Sequence, residues 1–372
     1  MTDLYIGLMS GTSMDGIDAA LTDFSSVHAH ILATHSEPYP DAVHRQLVAA
    51  LDLADPRKEN LAELDIAVGR SFARAVNRLL ENAGIEHTEV RAIGSHGQTL
   101  RHEPDAAKPY SLQIGNPDII AAETGINVVA DFRSADIRAG GQGAPLAPAF
   151  HKARFSAATE NRVVVNIGGI ANITVLPADP AIPVTGFDTG PGNTLMDTWI
   201  AQHLNLPMDT GGNWAAGGTC NEQLLEMLLD DDYFSLAPPK STGREYFNLE
   251  WLGRFPALNN IAAQDVQSTL CSLTTRTIIE AVNNHAPKTR RLLVCGGGIH
   301  NDCLMRQLTA GLPGTSVEST AQYGLDPDWV EAVAFAWLAK QKLEARPGNL
   351  PEVTGAVRPV ILGTLVSPAN RG

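Results

Sequence analysis

The stretch LYIGLMSGTSMDGIDAALTDF, residues 4–24, decides the fold. An apolar run at each end and a segment rich in glycine, serine and threonine between them predict a β-hairpin with a polar tip. Its glycines allow close approach of the backbone to a ligand, and its hydroxyls add hydrogen-bond donors. The residues concerned are Gly11, Gly16, Ser10, Thr12 and Ser13. The tip can bind phosphate without a lysine; taken alone, the stretch also fits an ordinary decorated turn.

Composition narrows the class of protein. A length of 372 residues predicts two or three domains, and 44% hydrophobic with 18% charged residues is typical of a globular chain. The formal net charge of -14 opposes binding to nucleic acid or anionic membranes. With no apolar run long enough to span a bilayer and no leader pattern, we expect a cytoplasmic protein. The cysteines fit no metal spacing and are predicted to be reduced core residues: Cys220, Cys271, Cys295 and Cys303.

The first half alternates strands and helices after the hairpin. Hydrophobic periodicity predicts strands at 30–35, 92–94 and 126–130 and helices at 59–83 and 117–124, the longer helix ending at Gly84. The segment 95–102 is predicted to be a loop. The glycine-rich segment 131–145 has no core pattern, which favours a linker or a functional loop.

The second half repeats this order. RVVVNIGGIANITVL, residues 162–176, again predicts strand, glycine-bearing turn and strand, and FDTGPGN, residues 187–193, follows a further strand. Helices are predicted from 195, at 264–284 and at about 328–345, and the strand 291–295 leads into GGGIHN, residues 296–301. We therefore expect a duplicated α/β fold with two domains around a cleft: residues 1–135 with about 346–372, and residues 136–345.

Three glycine turns, at Gly11, Gly168 and Gly296, are candidates for nucleotide binding. The chain has no P-loop motif, and Asn301 replaces the last glycine of a dinucleotide fingerprint. Two hairpin turns and one strand-to-helix turn in this order resemble the superfamily of sugar kinases, actin and heat-shock ATPases. That resemblance implies an actin-like, ribonuclease H-like fold in which the hairpins hold the phosphates of ATP and the third turn packs on the adenosine.

Six motifs carry a closer resemblance, to the anhydro-N-acetylmuramic acid kinase family. They are MSGTSMDGID from Met9, GSHGQTLRH from Gly94, ADFRSADIRAGGQGAPLAP from Ala130, NIGGIANIT from Asn166, GFDTGPGN from Gly186 and CGGGIHN from Cys295. The resemblance implies conversion of 1,6-anhydro-N-acetylmuramic acid, ATP and water to N-acetylmuramate 6-phosphate and ADP in cell-wall recycling. It also implies Mg²⁺ as cofactor and a possible homodimer.

The same resemblance implies the nucleotide contacts. These are Gly11, Thr12, Ser13, Met14, Asp15, Gly16, Ile17, Asp18, Gly168, Gly169, Asn172, Gly296, Gly297 and Gly298. Met9 stands where the wider superfamily carries a magnesium-organising aspartate. The metal ligands therefore stay unassigned, and the carboxylates left to organise metal and water are Asp188, Asp15 and Asp18.

Asp188 is the predicted catalytic residue. It directly follows an apolar run and precedes Thr189, Gly190, Pro191 and Gly192, so we expect it to project from the end of a strand. Similarity to the family makes it the general base. The alternative is that its side chain caps the helix that follows.

The resemblance also implies the residues that bind the sugar: Ser95, His96, Thr99, Arg133 and Glu331. A guanidinium such as that of Arg133 can hold a carboxylate bidentately, although a solvated surface charge is the alternative. The histidines of the 95–102 segment could instead be structural. Glu331 also fits a capping box with Asp328 at the start of the last helix.

Two other functions stay open from the sequence. A plain sugar kinase would phosphorylate a free hydroxyl without hydrolysis. An actin-like or chaperone-like ATPase would polymerise or clamp a protein instead of acting on a sugar.

Overall fold

The computed structural model describes residues 2–11, 14, 16–26, 29–104 and 106–368. Three predicted nucleotide contacts, Thr12, Ser13 and Asp15, lie outside the described residues. The chain forms two compact units: Met1–Phe150 with Trp329–Gly372, and His151–Asp328.

Thirteen strands form the sheets of the described chain. They are β1 Leu4–Met9, β2 Gly16–Asp23, β3 His30–Pro38, β4 Val90–Ser95, β5 Gln98–Glu103, β6 Tyr110–Ile114, β7 Val128–Ala130, β8 Asn161–Ile167, β9 Ile170–Leu176, β10 Thr185–Pro191, β11 Thr289–Cys295, β12 Ser316–Ser319 and β13 Thr364–Val366. The first unit holds a six-stranded sheet of order β13-β7-β4-β1-β2-β3 and the hairpin β5-β6. The second unit holds a five-stranded sheet of order β10-β9-β8-β11-β12.

The two large sheets share one topology. In the first, β1, β2 and β3 are antiparallel neighbours, β4 is parallel to β1 and β7 is parallel to β4. In the second, β8, β9 and β10 are antiparallel neighbours, β11 is parallel to β8 and β12 is parallel to β11. The predicted duplication is confirmed. Both predicted hairpins are present, β1-β2 and β8-β9.

Fourteen α-helices accompany the strands of the described chain. They are α1 Asp41–Leu51, α2 Ala62–Ala83, α3 Pro117–Thr124, α4 Ser134–Arg138, α5 Ala147–Phe155, α6 Thr194–Leu204, α7 Asn213–Gly217, α8 Glu222–Leu229, α9 Asp232–Ser235, α10 Leu249–Leu252, α11 Ala263–His285, α12 Asp302–Gly311, α13 Val330–Leu343 and α14 Pro351–Thr354. Short 3₁₀ turns include Gly297–His300 after β11. No helix within the described residues is both long and apolar enough to cross a membrane.

Local sequence signals explain the helices predicted in advance. Gly84 ends α2 with a left-handed φ of 65°, and the side chain of Asn116 accepts hydrogen bonds from the first turn of α3. Apolar residues along one face of α2, Val68, Phe72, Val76 and Leu79, are fully buried in the core. The cysteines are free. Cys271, Cys295 and Cys303 are buried, as predicted, whereas Cys220 is only half-buried.

Helix α13 belongs to the first unit, although the sequence placed residues 328–345 in the second domain. Gly7 and Gly94 are paired on β1 and β4, and α13 lies directly across them. A Cβ atom at Gly7 would lie 1.7 Å from the carbonyl oxygen of Ala332, and one at Gly94 would lie 2.0 Å from that of Phe335. Two side-chain-free positions on neighbouring strands therefore allow backbone contact with the helix, a relation that hydrophobic periodicity does not encode.

Three segments predicted as loops are partly regular. Strand β5 takes up much of residues 95–102 because it pairs with β6. The segment 131–145 contains α4 and is not a linker. Strand β10 runs on to Pro191, so Asp188 lies within a strand, at a register shift between Asp188 and Gly190.

Candidate active site

Asp188 lies in a row of polar residues across the second sheet. Its cross-strand neighbour on β9 is Asn172, and the neighbour of Asn172 on β8 is Asn166. Directly paired residues present their side chains on the same face of a sheet. Two amides and one carboxylate therefore share one face near the glycine turn that joins β8 to β9.

The segment from α9 to α10 fixes Asp188 in place. The backbone N–H of Thr242 donates to Oδ2 of Asp188 at 3.0 Å, and the N–H of Asp188 donates to the carbonyl of Lys240 at 3.1 Å. The hydroxyl of Tyr233 donates to the carbonyl of Asp188 at 2.7 Å. These bonds hold the carboxylate in one position while Oδ1 stays available to a ligand.

The alternative that Asp188 caps the next helix is wrong. The N-cap of α6 is Asn193, and its side chain donates to the carbonyl of Ile167 at 3.0 Å instead of capping. The carboxylate of Asp188 bonds to Thr242, which lies 54 residues further along the chain.

The environment of Asp188 suits a proton acceptor. Burial raises the pKa of its carboxyl to about 7, the negative charge of Glu245 acts in the same direction, and the Thr242 N–H opposes them by stabilising the anion. A base works best when its pKa lies near the working pH. Asp188 can therefore accept a proton near neutrality and release it again.

The turn of Gly168 and Gly169 is hydrogen-bonded to the start of α6. The N–H of Asn193 donates to the carbonyl of Gly168 at 2.8 Å, and those of Gly192 and Thr194 donate to Gly169 at 2.9 and 3.1 Å. A Cβ at Gly192 would lie 2.3 Å from the carbonyl oxygen of Gly168. The glycines of FDTGPGN thus allow two turns to pack backbone to backbone.

The third glycine turn packs on the end of β8. Gly296 has a φ of 77°, and a Cβ there would lie 2.3 Å from Oδ1 of Asn166. A Cβ at Gly298 would lie 2.3 Å from Cγ2 of Ile167, whereas Gly297 has no comparable close neighbour. The predicted nucleotide residues of the second unit are therefore gathered around the end of one strand.

In the first unit, buried hydrogen bonds hold the hairpin tip. The hydroxyl of Ser10 lies 2.7 Å from both the Gly16 carbonyl and Oε1 of Gln98. The hydroxyl of Tyr39 donates to the Ser10 hydroxyl at 3.1 Å. Gln98 also donates to the carbonyl of Gly11 at 3.2 Å. Sequence reasoning did not assign Gln98 or Tyr39 to this tip, since their partner Ser10 is 88 and 29 residues away from them.

The structure limits how the tip can meet a nucleotide. The side chains of Met14 and Ile17 are buried in the core, so these positions have only backbone atoms to offer. Asp18 accepts a hydrogen bond from the hydroxyl of Ser36 at 2.6 Å. Among the described residues, no group of three or more His, Cys, Asp or Glu side chains could hold a metal ion.

His96 and Arg133, both predicted sugar contacts, are direct partners. Nη2 of Arg133 donates to Nε2 of His96 at 2.8 Å, and Nη1 donates to the carbonyl of Gly143 at 2.9 Å. Burial, with the charge of Arg133 adding to it, lowers the pKa of His96 well below its usual range, and burial lowers the pKa of Arg133 to about 10. At neutral pH the imidazole is neutral and the guanidinium charged, so the proton of His96 sits on Nδ1.

The solvated alternative for Arg133 is therefore wrong. Its Nε, Nδ1 of His96 and the hydroxyl of Ser95 are buried and have no partner in the part of the chain that the structure describes. Buried polar atoms without partners are rare in folded proteins. All three can hydrogen-bond a polar ligand. The ring of Phe335 packs on His96 with a centroid separation of 4.7 Å.

Two further contacts complete this cluster. Asp136 is fully buried and accepts hydrogen bonds from Gly143, Asn349 and Thr354, which fixes the loop whose carbonyl holds Arg133. The charge of Glu331 acts on Arg133 and opposes the fall in its pKa.

The other two predicted sugar residues are Glu331 and Thr99. The predicted capping box of Asp328 and Glu331 is absent, because α13 begins after Trp329 and has no side-chain capping bond. The hydroxyl of Thr99 accepts a hydrogen bond from Gln113 on β6 at 3.2 Å and is therefore already engaged.

The duplicated sheet topology and its glycine turns define the class of protein, a duplicated α/β fold of two units. The model of the family described as anhydro-N-acetylmuramic acid kinase matches residues 3–368, and the chain belongs to that family. It is 50% identical over 361 residues to the anhydro-N-acetylmuramic acid kinase of Coxiella burnetii strain Dugway, covering 97% of this chain and 96% of the relative.

Other comparisons extend the range of relatives. Identity to the anhydro-N-acetylmuramic acid kinase of Xylella fastidiosa strain Temecula1 is 48% over 369 residues, covering 97% of this chain and 96% of the relative. Among solved structures, the activator of the 2-hydroxyisocaproyl-CoA dehydratase from Clostridium difficile, with bound ADPNP, matches with a TM-score of 0.48 at 11% identity. That match covers 93% of this chain and 96% of the other.

Proposed function

We propose that the chain converts 1,6-anhydro-N-acetylmuramic acid, ATP and water to N-acetylmuramate 6-phosphate and ADP. Membership in the kinase family supports phosphoryl transfer. The observation that carries the hydrolytic part is Asp188, a fixed carboxylate whose pKa is raised to about 7. A kinase that only transfers a phosphoryl group to a free hydroxyl needs no base that activates water for attack on the anomeric carbon.

The reaction needs one base and no separate acid. Asp188 accepts a proton from water as the water oxygen forms a bond to the anomeric carbon. The bond from that carbon to O6 breaks, and O6 takes the γ-phosphoryl group where an ordinary glycosidase would supply a proton. The bond from γ-phosphorus to the bridging oxygen of ADP breaks in the same sequence, so atoms and charge balance.

The glycine turns supply groups suited to a nucleotide. Within the described residues, the N–H groups of Gly168 and Gly169 have no backbone acceptor, while their carbonyls are held by the start of α6. Such N–H groups bind phosphate oxygens. We propose that this turn binds the phosphates of ATP, that the turn from Gly296 accepts the adenosine, and that the tip at Gly11 is a second phosphate-binding turn. Mg²⁺ would accompany the phosphates, since it binds mainly through phosphate oxygens, water and one or two carboxylates.

The cluster around Arg133 supplies groups suited to an acidic sugar. Its guanidinium is fixed at two nitrogens, and its Nε, with Nδ1 of His96 and the hydroxyl of Ser95, gives three further polar atoms. We propose that these atoms bind the lactyl carboxylate and hydroxyls of the substrate and that Glu331 accepts a hydrogen bond from it. Because ATP is a cytosolic substrate, the reaction would take place in the cytoplasm.

Isotope labelling tests the proposal. The protein is incubated with Mg-ATP and 1,6-anhydro-N-acetylmuramic acid in ¹⁸O-water, and the phosphosugar is examined by mass spectrometry. We expect one ¹⁸O at the anomeric hydroxyl and none in the phosphate. Phosphosugar without label would contradict hydrolytic opening and favour the plain kinase, and the absence of any phosphosugar would contradict the substrate.

A further inference from the structure

Arg244 lies beside the glycine turn of the second unit. A Cβ atom at Gly169 would lie 3.0 Å from Nε and 3.1 Å from Nη2 of Arg244, so glycine at this position makes room for the guanidinium. The side chain of Arg244 is exposed, and none of the ion pairs or hydrogen bonds within the described chain involves its guanidinium. The positively charged guanidinium of Arg244 therefore lies against a turn whose backbone N–H groups have no backbone acceptor among the described residues.

Thr194 presents a second group at the same turn. It is the first residue of the eleven-residue helix α6, and the residue as a whole is only 5% exposed. Its hydroxyl lies 2.9 Å from the position that a Cβ at Gly169 would take, and it has no hydrogen-bond partner among the described residues. A buried hydroxyl without a partner at the N-terminus of a helix is suited to bind an anion.

The surrounding contacts make this arrangement rigid. The buried hydroxyl of Thr274 on α11 lies 3.0 and 2.9 Å from the carbonyls of Pro191 and Gly192, just before α6. Arg244 also shares a short loop with Thr242, whose N–H holds Asp188. The same loop thus carries a contact to the proposed base and a guanidinium at the turn.

We propose that Arg244 and Thr194 bind the terminal phosphates of ATP at Gly169 and that Arg244 stabilises the phosphoryl group during transfer. The inference rests on the proposed use of ATP and adds two residues to it. A guanidinium binds phosphate oxygens bidentately, and charge spreads over these oxygens in the transition state. Arg244 is therefore a catalytic residue, and Thr194 is a phosphate ligand.

Calorimetric titration of the full chain tests the inference with a non-hydrolysable ATP analogue and with AMP. We expect Arg244→Gln to weaken binding of the ATP analogue about tenfold or more, because one charge-assisted contact is lost, and to leave AMP binding unchanged. Arg244→Lys keeps the positive charge but loses the bidentate guanidinium, and its affinity for the ATP analogue should lie between those of the wild type and Arg244→Gln. Thr194→Val keeps the shape of the side chain without the hydroxyl and should weaken binding of the ATP analogue several-fold.

Turnover gives the second readout. Loss of an arginine that stabilises the transferred group should lower kcat by about 10²- to 10³-fold, with little change in KM for the sugar. Arg290→Gln is the matched control, because Arg290 is an exposed arginine of the same unit, on β11, and its loss should change neither readout.

Several outcomes would overturn the inference. Arg244→Gln with analogue binding and kcat within about twofold of the wild type would exclude a phosphate contact, and equal loss of AMP binding would show a general structural effect. Failure of the proposed function is distinguishable, since a wild-type chain that forms no phosphosugar can still be titrated with the ATP analogue.

Discussion

Replacement of Asp188 by asparagine should remove activity and stabilise the fold at the same time. Asparagine keeps the shape of the side chain, and its oxygen can still accept the hydrogen bond from the Thr242 N–H. What the variant loses is the ability to take a proton from water. A general base typically contributes about 10²- to 10⁴-fold to a rate, so we expect turnover to fall by at least that range while ATP binding persists.

The effect on stability follows from the pKa. The native state holds the proton of Asp188 up to about pH 7, whereas the unfolded chain releases it near 3.8. The native state therefore binds more protons across this window, and the free energy of unfolding contributed by this group falls as the pH rises from about 4 to 7. At 1.36 kcal/mol per pKa unit, the raised pKa of Asp188 corresponds to a loss of about 4 kcal/mol at most in the free energy of unfolding. Partial contact of the carboxyl with solvent reduces this loss.

Urea denaturation at pH 5 and pH 8 measures this contribution. The asparagine variant should exceed the wild type in free energy of unfolding by about 2 to 4 kcal/mol at pH 8, and the gain should shrink toward pH 5. The kcat/KM of the wild type should rise about tenfold between pH 6 and pH 8 as the carboxylate ionises. An equal gain at both pH values, or a pH-independent kcat/KM, would refute the assignment of Asp188 as a buried base.

Four further outcomes are expected. Glu245→Gln should shift the acidic limb of kcat/KM to lower pH, since it removes a negative charge that raises the pKa of Asp188; a shift to higher pH would contradict this. Arg133→Lys should raise KM for the sugar about ten- to a hundredfold with a smaller change in kcat, because lysine lacks the fork; steady-state kinetics measures both constants. Gly94→Ala should destabilise the first unit by about 3 kcal/mol or more in urea denaturation, because its Cβ would clash with the carbonyl of Phe335. Gly84→Ala, with open space and only a left-handed φ, should cost about 1 to 2 kcal/mol.

The sequence by itself determined the hairpins, the glycine turns, the duplicated plan and the candidate base. These features depend on neighbouring residues: alternation of apolar side chains, glycines where two chains meet, and an acid directly after an apolar run. Asp188 could be singled out because its position at the end of such a run is a local property. The loop that fixes it could not, since Thr242 is separated from it by 54 residues without any pattern between them.

Only the tertiary structure decided which partners each polar group has. His96 and Arg133 lie 37 residues apart, and Asp136 bonds to Asn349 and Thr354 more than 200 residues further on. Helix α13 joined the first unit because Gly7 and Gly94, far apart in the chain, are paired on neighbouring strands and leave space for its backbone. Sequence patterns describe the order of elements along the chain, whereas these contacts arise from strand pairing and close packing between distant segments.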